Sequence, residues 1–165
     1  MSRSNDAGKV PAVKSADAGL RAELPAQPGS VGQARSAVRR ALDTWGLHEL
    51  SSDAELLASE LVANAVEHAD GTRIGFALRC QADAGGHPGV VCEVSDSSPA
   101  LPRAERSGPD AVRGRGLAIV AALASASGVQ TNPGGKTAWF RLAICQHTQR
   151  IACSARVAAE PKPAA

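Results

Sequence analysis

Hydrophobic spacing along the chain changes character several times. Between Ser52 and Ala69, in SDAELLASELVANAVEHA, the residues Leu57, Leu61, Ala65 and Ala69 recur at i, i+4, and Leu56, Val62 and Val66 widen the stripe. This period predicts an amphipathic helix with one core-facing side. Ser52 and Glu55 have the spacing of a capping box, and Gly71 stands where a left-handed C′ residue would end the helix. Glu60, Asn64 and His68 form a polar line beside the stripe. On spacing alone that line is the solvated margin of the helix, but Asn is a poor mid-helix residue, and Asn64 therefore weighs toward a role.

The other segments are shorter. Leu20 to Leu24 reads as an edge strand closed by Pro25 and Pro28. Ser30 is placed as an N-cap before a helix through Val31, Ala34, Val38, Ala41, Leu42 and Trp45 that stops at Gly46. Arg35, Arg39 and Arg40 lie on its opposite, solvated side. Arg73 to Cys80 and Val90 to Asp96 alternate with period two around a loop containing Gly85, Gly86, Pro88 and Gly89, which predicts an antiparallel hairpin. A second hairpin pairs Gly128 to Thr131 with Thr137 to Ile144, turning at Asn132-Pro133-Gly134-Gly135. In its second strand Ala138, Phe140, Leu142 and Ile144 face one way, and Thr137, Trp139 and Arg141 the other.

Two places carry candidate chemistry. Asp96 ends an apolar row, Val90, Cys92 and Val94, and a carboxylate there requires donors if it is buried. It is equally readable as an Asx-type turn starter in Asp-Ser-Ser-Pro, or as a group that recognises a base. Ser97 to Arg113 has no core pattern and is too long for a simple connection, as a lid or a disordered segment would be. Gly114-Arg115-Gly116 then runs into Leu117, Ala118, Ile119, Val120 and Leu123. Glycines at a helix start suit phosphate binding and are also common in ordinary turns. The element order β-α-α-β-β-lid-α-β-β predicts an α/β two-layer sandwich, with a mixed, mostly antiparallel sheet and helices on one face.

Composition narrows the function. With 165 residues and 44% hydrophobic content, the chain has room for one real core. A net charge of +2, scattered basic residues, two Trp, two Phe and no Tyr argue against a nucleic-acid partner. No apolar run approaches the ~20 residues of a membrane span and no signal peptide opens the sequence, so a cytoplasmic location is expected. Cys80, Cys92, Cys145 and Cys153 form no metal-type cluster. Residues 1–19 read as a disordered extension, 20–144 as the folded domain and 145–165 as a flexible tail.

ELVANAVEHA, VSDSSPALP, GRGLAIV and GGKTAWFRL occur in the order of the N box, the two glycine boxes and the closing strand of the GHKL, or Bergerat-fold, ATPases. Over residues 20–144 the chain most resembles the anti-sigma-factor serine/threonine kinase branch of that histidine-kinase-like superfamily. The resemblance implies ATP and Mg²⁺ as cofactors. Asn64 would be the Mg²⁺ ligand, Glu60 the general base and Asp96 the acceptor for the adenine amine. Arg113, Gly114, Arg115, Gly116 and Leu117 would line the phosphates, and Thr137 would assist at the adenine. It further implies transcription regulation, in which the protein sequesters a sigma factor, phosphorylates an anti-anti-sigma antagonist and pairs as a homodimer. The alternative is an ATP-dependent binding module without phosphotransfer. The chain departs from the pattern at Asp96-Ser97-Ser98-Pro99, where many members carry two glycines.

Overall fold

Period-two alternation builds five strands and the longer periods three helices, which the computed structural model describes over residues 19–69, 72–98 and 116–144. Expectations for both tails, for Gly71, for Pro99 to Arg113 of the lid, and for Gly114 and Arg115 concern residues outside that set. Strand β1 (Gly19–Pro25) leads into helix α1 (Gly29–Trp45), a 3₁₀ turn (His48–Leu50) and helix α2 (Ser51–His68). Strands β2 (Arg73–Ala82) and β3 (Pro88–Asp96), helix α3 (Gly116–Leu123), and strands β4 (Ala126–Asn132) and β5 (Gly135–Ala143) follow.

The sheet order is β1-β2-β3-β5-β4. Every pairing among the described strands is antiparallel, so the sheet is simpler than the mixed one expected. β5 enters between β3 and β4, and this insertion sets the closing strand directly against the strand that ends in Asp96. Ile74, Phe76 and Leu78 of β2, Val90, Cys92 and Val94 of β3, and Ala138, Phe140 and Leu142 of β5 supply the sheet's side of one core. Ala34, Val38 and Leu42 of α1 and Leu57, Leu61, Val62 and Ala65 of α2 supply the helical side. The fold is therefore the expected α/β sandwich. No helix of the described residues is long and apolar enough to cross a membrane.

Helix ends differ from the sequence expectation. Pro28 caps α1 without a side-chain bond, and Ser30 instead donates its hydroxyl to the carbonyl of Pro25 at 2.6 Å, tying the helix to the end of β1. At the other end Gly46 is left-handed with φ 70°, as anticipated, and Leu47 N–H reaches back to the Leu42 carbonyl. No capping box forms at α2: the 3₁₀ turn runs straight into Ser51, Leu50 is the cap residue, and Glu55 is bound elsewhere. Its last turn leaves through Ala69 in an extended conformation. Leu56, expected in the apolar stripe, is 41% exposed.

Candidate functional site

Parity carries β3 and β5 to a polar end of the core. On β3 the inward row Val90, Cys92, Val94 continues to Asp96, and register pairs Asp96 with Lys136 of β5. Lys136 shares the inward side with Ala138, Phe140 and Leu142, and its side chain is 1% exposed against 3% for Asp96. The ammonium Nζ lies 3.0 Å from Asp96 Oδ1. The same oxygen accepts the Ser98 backbone N–H at 2.8 Å. Asp96 thus makes the Asx turn through Ser98 that its sequence allowed, and its carboxylate is buried at the end of the row. Gly135 has φ 142°, and a Cβ there would overlap the Asp96 carbonyl oxygen, so only glycine lets the closing strand lie this near. Neither Gly135 nor Lys136 was picked out from sequence. Extending the inward alternation of β5 two residues before Ala138 would have found the lysine.

The second group sits where α2 meets α3. A Cβ on Gly116 would overlap Glu60 Oε2, so the Glu60 carboxylate lies directly against the first residue of α3. Two motifs far apart in sequence are thereby joined. Asn64 is half-buried one turn further along α2, on the same line as Glu60. Leu117 stands in the first turn of α3, while His68 is exposed at the end of α2. Helix α2 packs against β3, β5 and α3, the elements that carry both groups.

Thr137 is not brought to this end of the core. It pairs with Ser95 on the opposite side of the sheet and lines an open groove there with Arg21, Glu23, Gly75 and Glu93. The reason is parity: the place beside Asp96 belongs to Lys136. The arginines of α1 lie on its exposed side as expected, and two of them also bind Glu55 of α2. Arg39 donates Nε to Glu55 Oε1 at 2.9 Å and Nη2 to Oε2 at 2.6 Å, and Arg35 Nε lies 3.7 Å from Oε2. The Arg39 hydrogen bonds hold the Glu55 carboxyl below its ordinary pKa. Cys92 is buried in the core, and burial pushes its thiol pKa up, which makes it inert as a nucleophile.

The chain thus combines an antiparallel sheet backed by two long helices with a carboxylate on α2 against the glycine that starts α3 and a second carboxylate closing the core row. The family described as histidine kinase-like ATPase domain matches residues 24–142, and the chain belongs to that family. Membership implies ATP binding. No curated protein matches this chain at a significant level. Among solved structures, the chain is similar to the RsbU and RsbW domains of Rv1364c from Mycobacterium tuberculosis, with a TM-score of 0.51 and 23% identity over 76% of this chain and 32% of that one. It is also similar to the histidine kinase domain of a blue-light activated histidine kinase from Erythrobacter litoralis EL346, with a TM-score of 0.44 and 19% identity over 78% of this chain and 65% of that one. The chain thus spans about a third of the first structure and just under two-thirds of the second. The first likeness is one of fold.

Proposed function

We propose that the chain binds Mg-ATP between α2, the Asp96 end of β3 and the start of α3, and acts as a serine/threonine protein kinase of the anti-sigma type. The observation that carries this reading is the apposition of Glu60 and Gly116, which sets a candidate base beside the glycine at which phosphates would dock. The residues suit the nucleotide. The missing side chain at Gly116 leaves room for the Glu60 carboxylate against the start of α3, and Asp96 turns one carboxylate oxygen to donors of its own chain while the other accepts none among the described residues. Asn64 offers a neutral amide oxygen, fitting a metal that takes its remaining ligands from phosphate and water.

Each residue then has a task. Asp96 accepts from the exocyclic amine of adenine, and backbone N–H groups at Gly116 and Leu117 donate to phosphate oxygens at the positive end of α3. Arg113, Gly114 and Arg115, which lie outside the described residues, are proposed as further phosphate contacts on the strength of the sequence resemblance. Bound ATP supplies the phosphoryl group. Glu60 accepts the proton of the attacking serine or threonine hydroxyl of an anti-anti-sigma antagonist. Phosphate on that antagonist changes its charge and removes it from the complex, while the unmodified antagonist competes with the sigma factor by mass action. A second reading, an ATP-dependent docking module without transfer, is favoured by the buried Ser98 turn that stands where many relatives carry glycine.

Labelled ATP incubated with the chain and candidate antagonists separates the two. Transfer is expected, with Glu60→Gln lowering it by about 10²–10⁴-fold while ATP affinity stays unchanged. ATP binding without transfer to any antagonist would establish the docking module instead.

A further inference from the structure

We infer that Lys136 is a base-specificity residue, which together with Asp96 reads the hydrogen-bonding edge of adenine. This deepens the nucleotide-binding reading above and rests on it.

Nearly complete burial makes the bonding of this pair consequential. An ammonium carries three donors, and among the described residues Lys136 Nζ has one acceptor, Asp96 Oδ1 at 3.0 Å. Asp96 concentrates its own bonds on that same oxygen, which also accepts from Ser98, and Oδ2 accepts none among the described residues. A charged pair buried to this degree is costly when only partly satisfied. Among the described residues this leaves Oδ2 of Asp96 able to accept beside an ammonium with donors to spare, held next to each other by the β3–β5 register.

A planar edge with a donor adjacent to an acceptor completes both at once. Adenine has that edge: the exocyclic N6 amine donates, and ring N1 beside it accepts. Oδ2 of Asp96 takes the amine and Nζ of Lys136 donates to N1. Guanine presents the reverse order, with O6 accepting and N1–H donating, so its oxygen would meet the carboxylate and its N–H the ammonium. The pair therefore attracts one purine and repels the other, and a buried site built to pair polar groups discriminates strongly because the wrong ligand leaves them unpaired.

The test is calorimetric titration of the full chain, in Mg²⁺, with ATP and with 1-deaza-ATP, which keeps the N6 amine and replaces N1 with C–H. The unmodified chain is expected to bind ATP about tenfold more tightly than the deaza analogue, the loss of one charge-assisted hydrogen bond. In Lys136→Met the two ligands should bind alike. Lys136→Gln, which keeps an uncharged donor, should restore part of the preference and serves if the methionine variant does not fold. Equal affinity of the unmodified chain for both ligands would overturn the role of Lys136 while leaving ATP binding intact, as would a full preference surviving in Lys136→Met. Failure of the unmodified chain to bind either ligand would overturn the nucleotide reading and this one with it.

Discussion

At Gly135 the backbone decides the residue. Its φ of 142° lies where side chains are strained, and a Cβ would enter the Asp96 carbonyl oxygen, so two independent costs fall on any replacement. Gly135→Ala is expected to lose more than about 1–3 kcal/mol in urea denaturation, and to lower ATP affinity because Asp96 and Lys136 shift with it. An unchanged denaturation midpoint would contradict the close approach of β5 to β3. The glycine was visible in the sequence only as part of a turn, Asn132-Pro133-Gly134-Gly135. Its second function, making room for another strand's carbonyl, depends on which strand lies alongside. Asp96 shows the complementary case: its place at the end of an inward row follows from alternation alone, but its lysine partner comes from β5, forty residues on.

Helices α1 and α2 are joined by apolar packing and by one polar clamp, Arg39 on Glu55 with Arg35 nearby. Glu55 has a folded-state pKa below its unfolded value, chiefly through the Arg39 hydrogen bonds. The ionised form therefore favours the fold. Its contribution is present in full above the unfolded carboxylate value of about 4.3 and is lost as pH falls through the lower folded-state value. Thermal melts of the native chain and of Glu55→Gln should accordingly differ near neutral pH and converge in acid. Arg39 is more than half exposed, so the difference should also shrink at high salt. A gap that persists unchanged in acid would mean that Glu55 acts by packing alone. The capping-box spacing Ser52-x-x-Glu55 pointed to a different partner for this carboxylate, because a local pattern is blind to a neighbouring helix. What the pattern did give was the helix itself, to within a residue at each end.

For the whole molecule, a bound nucleotide acts on folding as well as on function. A nucleotide that binds only the native state stabilises it by about 2.7 kcal/mol at a hundredfold excess over its Kd. ATP should raise the melting temperature of the chain, and Mg²⁺ should increase the shift. In Asn64→Ala the magnesium-dependent part of the shift is expected to vanish; its survival would refute Asn64 as the ligand. Placement of the proposed site follows from topology. Insertion of β5 between β3 and β4 brings the closing strand to Asp96, and the packing of α3 on α2 brings Gly116 to Glu60.

Periodicity determined by itself which segments are strands and helices, which side of each is apolar, and that Asp96 terminates a core-facing row; these are local properties, set by the 3.6- and 2-residue repeats of the backbone. Tertiary structure alone decided that Lys136 meets Asp96, that Glu55 binds Arg39 in place of its own helix end, and that Glu60 rests on Gly116. Each of these is a contact between elements distant in sequence. Strand order and helix packing choose such contacts, and no repeat within one segment encodes which neighbour it will meet.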